Sequence, residues 1–202
     1  MTSQAMRDPV QDTLLTPRNS VLIIIDYQPV QVTSIASMDR RMLVNNIVSV
    51  ARLAKLFELP IVLSTVNVTS GKNAPTIHQL MDVLRGVDAL DRTTINAWED
   101  EEFVKAVKAT GRMKLIMTAL WTEACLTFPT LDALREGFEV YPIVDAVGGT
   151  SLEAHRAGLE RVVQAGARAA SWVQLACELQ RDWARTKTAP EFAEILFAVE
   201  GH

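Results

Sequence analysis

Five apolar residues, Val21-Leu-Ile-Ile-Ile25, run without a polar interruption into Asp26. Four of them are β-branched, which predicts a strand covered on both faces, as in a parallel sheet. Residues 40–58 then carry Leu43, Ile47, Val50, Ala54 and Phe57 at helical spacing, and residues 60–66 return to strand composition. The alternation continues along the chain. Short strands are expected at 89–93 and 167–171, and longer ones at 114–120 and 138–144. Helices are expected at 76–84, 99–110, 122–136, 151–165, 173–186 and 190–199, three of them followed by Gly111, Gly137 and Gly166. Strands alternating with helices imply an α/β fold, a mostly parallel sheet with helices on both faces and right-handed crossovers.

At 202 residues the chain is expected to form one domain over 20–202, preceded by a polar arm at 1–19 that contains Pro9 and Pro17. The apolar share of 49% argues against extended disorder. A net charge of −4, with no Lys/Arg run, makes nucleic acid a poor partner. The longest apolar runs are too short to span a bilayer, so no membrane partner is expected. The first residues lack the apolar core of a signal peptide. Two cysteines without metal-like or redox-like spacing suggest free thiols in a reducing compartment, and the cytoplasm is the default expectation.

In open α/β sheets ligands sit beyond the carboxyl ends of the strands. Those ends supply Asp26-Tyr27-Gln28, the loop at 67–75, Arg92, the turn before Cys125, and Asp145. Cys125 follows the strand 114–120 and opens the next helix, where free backbone N–H groups and the helix dipole favour a thiolate. One exposed helix terminus contributes roughly 0.3–1 kcal/mol, whereas lowering a thiol pKa by ~2 units requires about 2.7 kcal/mol. A cation or a base must supply the difference. Asp26 is the candidate base, since a carboxylate after five apolar strand residues belongs at the strand end, on a strand next to that of Cys125.

Arg92 is the candidate cation, although charge pattern alone favours a solvated ion pair with Asp91 or the acidic run 99–102. Lys114 starts the strand that ends near Cys125, about 20 Å away at the other sheet edge, and reads as structural. Asp145 reads as a loop or cap residue and Cys177 as core. Trp98 and Trp121 are candidates to line a pocket, with packing as the plainer expectation. His78, His155 and His202 are scattered, and no Asp/His cluster has metal-ligand spacing. Dinucleotide, P-loop and Gly-x-Ser-x-Gly motifs are lacking.

Three segments carry a resemblance: Leu22-Ile-Ile-Ile-Asp26-Tyr-Gln-Pro, Arg92-Thr-Thr-Ile-Asn-Ala-Trp-Glu-Asp100, and Lys114-Leu-Ile-Met-Thr-Ala-Leu-Trp-Thr-Glu-Ala-Cys125. Over roughly residues 14–186 the chain resembles the isochorismatase-like cysteine hydrolases, in a branch of unknown substrate. The resemblance implies a three-layer, Rossmann-like α/β/α sandwich around a six-stranded parallel sheet. It also implies hydrolysis of a small amide or related C–N bond through a Cys thioester; nicotinamidases carry a metal-binding cluster after the second strand, whereas residues 67–78 here offer only His78, so no metal or cofactor is expected. Its triad maps onto Asp26, Arg92 (Lys in the family) and Cys125, with an oxyanion hole from the backbone N–H groups of Trp121 and Cys125, often after a non-proline cis peptide. Gln28, Asn96, Trp98 and Trp121 fall at substrate-binding positions. A homo-oligomer, tetramer or octamer, is implied as well. Two alternatives stand beside this reading: an ether hydrolase of the isochorismatase type with an idle Cys, and a catalytically silent scaffold.

Overall fold

The computed structural model describes residues 8–198; residues 1–7 of the expected arm, Val199 of the last expected helix, and His202 lie outside them. Among the described residues the sheet has five parallel strands in the order β3-β2-β1-β4-β5. They are β1 (Ser20–Ile25), β2 (Ile61–Val66), β3 (Ala89–Arg92), β4 (Lys114–Ala119) and β5 (Glu139–Pro142). β1 is central and wholly buried. Its alternate residues serve different cores, as the two-residue period of a strand requires. Leu22 and Ile24 pack with α2 (Arg40–Leu56), α3 (His78–Val83), α7 (Trp172–Gln180) and α8 (Ala189–Phe197). Val21, Ile23 and Ile25 pack with α4 (Glu101–Ala109) and α5 (Thr127–Arg135). Each such side chain contributes roughly 1.5–3 kcal/mol by full burial, and a sheet this apolar is stable only between two helical layers.

The expected sixth strand is reduced to one bridge, Ile143 beside Ala170. Arg168 and Ala170 donate to the Val140 and Pro142 carbonyls, and Val144 donates to Ala170. Pro142 has no N–H to return, so the ladder is broken where a strand would have to continue.

Other boundaries differ for local reasons. A short helix, α1 (Pro29–Thr33), follows β1 where no helix was expected, with Pro29 at its first position. The helix expected at 99–110 is preceded by a 3-10 turn, Ala97–Glu99, and starts after Asp100, whose carboxylate accepts from the Phe103 N–H. The helix expected at 173–186 stops at Gln180 because Arg181 takes a left-handed φ of 62°. The helix expected at 122–136 is two elements: a π turn, Thr122–Leu126, and then α5. α6 (Leu152–Gln164) opens on the Ser151 cap and packs against that turn.

Residues 8–19 are bound to the amino-terminal end of the sheet. The Lys114 ammonium donates to the carbonyls of Asp12 and Thr13 at 2.6 and 2.8 Å, with Leu14 at 3.4 Å. Glu178 accepts from the Leu15 N–H, and Arg181 pairs with Asp12. Lys114 is structural, at the end of β4 remote from Cys125.

Candidate active site

The pairing of β1 with β4 sets Ile25 beside Ala119. Asp26 therefore emerges next to the turn that carries Cys125. The backbone at Asp26 turns left-handed, with φ 63°, a conformation Asp tolerates better than bulky residues. The carboxylate is 1% exposed. Arg92 ends β3, two strands away, and reaches it across the end of β2. Its Nη1 donates to Asp26 Oδ1 and its Nη2 to Oδ2, both at 2.7 Å. Further bonds run from Nη1 to the Thr65 carbonyl and from Nη2 to that of Ile95. The guanidinium is 1% exposed as well. The solvated ion pair expected from charge pattern is therefore absent. Asp91 instead accepts from the Thr65 hydroxyl and from the N–H groups of Val68 and Thr69, fixing the loop after β2.

Cys125 lies within the π turn, before α5, and is 7% exposed. The Asp26 carboxylate and the Trp121 backbone N–H both lie close enough to act on its thiol. Burial, then the Asp26 charge and hydrogen bond, push the thiol up to about 12; the Trp121 N–H and Arg92 oppose this and lose. The tendency of a helix start to favour thiolate is outweighed here. The sulfur is too deeply placed, and the carboxylate binds the protonated form.

The peptide bond Leu120–Trp121 is cis. The Trp121 indole N–H donates to the Ser34 hydroxyl at 2.6 Å, so its ring leans on the segment after α1. The other expected contact residues are engaged elsewhere. The Gln28 amide accepts from the Val66 N–H and donates to the Val66 and Ala74 carbonyls, which ties the loop after β2 to β1. Asn96 caps the 3-10 turn and donates to Asp132. Trp98 stacks edge-on with Phe103 and Phe138 and donates to Glu136, as a packing residue does. The polar atoms of these three are bonded within the scaffold.

Asp145 accepts from the Trp172 N–H and holds the start of α7. Cys177 is exposed on α7, not core. Sequence reasoning missed the surroundings of the Cys125 turn: Thr122, Glu123, Gly149 and His155, which are in mutual contact. The Thr-Glu pair just before Cys125 was the available signal. Among the described residues, no three His, Cys, Asp or Glu side chains are grouped to hold a metal, and no helix is long and apolar enough to cross a membrane.

The arrangement is a buried relay in which a thiol stands beside a carboxylate that two hydrogen bonds join to a guanidinium. Such a relay can pass one proton from sulfur to carboxylate while the cation holds the charge.

Comparison with known proteins places this geometry in context. The family model of the Isochorismatase domain matches residues 20–174. The chain is 36% identical over 170 residues to the probable hydrolase YcaC of Escherichia coli, covering 84% of this chain and 81% of that one. A solved structure of YcaC from Pseudomonas aeruginosa with hexane-2,5-diol and covalent acrylamide superposes with a TM-score of 0.82 at 31% identity, covering 93% and 98% of the two chains. The E. coli YcaC structure, described as an octameric hydrolase of unknown specificity, gives the same TM-score and identity over 94% and 97%.

Proposed function

The chain belongs to the isochorismatase family, and from that premise we propose that it is a cysteine hydrolase of a small amide or related C–N bond. The observation that carries this reading is the continuous chain from the Cys125 thiol to Asp26 to Arg92. With substrate bound, the thiol proton passes to Asp26 as sulfur attacks the carbonyl carbon. The new oxyanion is held by the backbone N–H groups of Trp121 and Cys125. Collapse expels the amine, which takes the proton from Asp26 and leaves a thioester. Water then attacks the thioester and gives a proton to Asp26. The acid departs, and the proton returns to sulfur. Arg92 stays paired with Asp26 throughout; a guanidinium keeps its protons, so it stabilises charge without shuttling.

A thiol held at about 12 has no standing thiolate at neutral pH. Burial and Asp26 favour the protonated thiol at rest, so the proton is handed to Asp26 as the sulfur attacks. Trp121 is the remaining candidate to border the substrate. The covalent acrylamide in the Pseudomonas relative, an alkylating electrophile, supports a reactive nucleophile in proteins of this kind, and the octameric relative supports a homo-oligomer here. Free thiols at Cys125 and Cys177 fit a cytoplasmic setting.

The test is intact-mass detection of an adduct on Cys125 across a panel of small amides, with Cys125→Ser as control. Acylation of the wild type alone is expected. A folded protein that no amide acylates would favour the silent scaffold.

A further inference from the structure

The thioester chemistry does not use Thr122 and Glu123, although they stand three and two residues before the nucleophile. Both are held from outside the turn. The Thr122 N–H donates to the Gly148 carbonyl at 2.9 Å, and its hydroxyl lies 2.8 Å from His155 Nδ1. Its carbonyl accepts from Thr127. Glu123 Oε1 accepts from the Thr150 N–H at 3.0 Å and hydroxyl at 2.6 Å, while Oε2 is buried without a partner.

Glycines permit this closeness. A Cβ on Gly149 would stand 2.7 Å from Glu123 Oε2 and 2.9 Å from the backbone nitrogen of His155. A Cβ on Gly158 would stand 3.1 Å from the Thr122 oxygen and the Glu123 Cα. His155 and Gly158 are three residues apart on α6, so one helix face meets the turn. Burial keeps the imidazole below its usual range, with the Glu123 carboxylate opposing.

We propose that His155, gripping Thr122, is a positioning residue that sets the Cys125 sulfur against Asp26, with Glu123 on Thr150 as the second grip. The inference rests on Cys125 and Asp26 acting as a pair. A turn freed from α6 would let the sulfur drift from the carboxylate, and ångström-scale displacements in such sites cost orders of magnitude.

The experiment is the pH profile of iodoacetamide alkylation, read separately at Cys125 and Cys177 by peptide mass. Without the His155 grip the thiol loses part of the Asp26 bond that keeps it protonated. His155→Ala and Thr122→Val should each speed Cys125 alkylation at pH 9 about tenfold, a shift of about one pH unit. The double variant should do no more than either alone, since one bond is lost. His155→Asn, with an amide near the Nδ1 position, should restore the wild-type profile, and Cys177 should not change. In an Asp26→Asn background His155→Ala should have no effect.

Equal acceleration at Cys177 or in the Asp26→Asn background would mean general loosening and would overturn the proposal. So would single-variant rates within twofold of wild type. Should His155→Ala fail to fold, Thr122→Val tests the same bond from the other side. If Asp26→Asn alone leaves the Cys125 profile unmoved, the proposed hydrolase chemistry fails too. If it moves the profile and the His155 variants do not, only this inference fails.

Discussion

Arg92 meets Asp26 end-on, two nitrogens on two oxygens at 2.7 Å, with each side chain 1% exposed. A pair so enclosed is held by geometry, because desolvation offsets much of its attraction. Its value to the site is orientation. The carboxylate has one fixed plane, and the Cys125 thiol meets it there.

Breaking the pair from one side leaves a buried charge without its partner. Arg92→Ala is expected to lower unfolding stability by about 3–5 kcal/mol, read by urea denaturation. Arg92→Lys keeps the charge, loses the fork, and should fall between. A loss below about 1 kcal/mol for Arg92→Ala would show that water reaches Asp26.

Asp26→Asn removes the charge that holds the Cys125 proton and leaves a neutral amide oxygen, a weaker acceptor and no base. Its thiol should ionise at lower pH and alkylate faster at pH 9. Amide turnover should nevertheless fall by about 10²–10⁴-fold, because the base is gone. Thiolate content and catalysis would then move in opposite directions. A variant that gained in both would remove Asp26 from the mechanism.

A thiol raised in the folded state must cost stability at alkaline pH. Above about pH 9 the unfolded chain releases this proton while the folded chain keeps it until about 12. Stability therefore falls with rising pH, by up to about 1.4 kcal/mol per unit from this group. The gap between wild type and Cys125→Ala, measured by denaturation from pH 8 to 11, should shift steadily against the wild type. Parallel curves would mean that the thiol is not raised.

Gln28→Ala strips the Val66 N–H of its partner and frees the Ala74 carbonyl. A loss of about 1–3 kcal/mol is expected, with faster hydrogen exchange at Val66. Lys114→Met should cost a similar amount by orphaning the carbonyls of Asp12 and Thr13. It should open Arg18 to trypsin while leaving Cys125 alkylation unchanged. A change at Cys125 would show that the two ends of the sheet are coupled.

The unbroken run ending at Asp26 was enough to read the central strand, because nothing but a doubly covered strand accommodates it. Cys125 and Asp26 were likewise legible as neighbours, since the apolar central strands of a parallel sheet all end at one rim. Arg92 was harder. Its charged neighbours suggest a surface pair, and only the tertiary position of β3 sends it inward. The sense of the thiol shift was unreadable, because a sequence shows a helix start and not how deep the sulfur lies. Gln28, Asn96 and Trp98 were assigned to ligand by resemblance, but their partners are backbone groups and side chains from distant segments. The short strand expected after β5 depended on a donor that Pro142 lacks.

Val66 sits opposite Arg92 in the pairing of β2 with β3, and among the described residues the four-residue outer strand has no neighbour beyond it in the sheet. Slippage there by a single residue would throw the guanidinium to the opposite side, while the middle of the molecule stayed intact. Natural variation should therefore tolerate extra length in the 67–77 loop more readily than one inserted residue between 84 and 92. The vulnerability of the whole apparatus is concentrated at its margin.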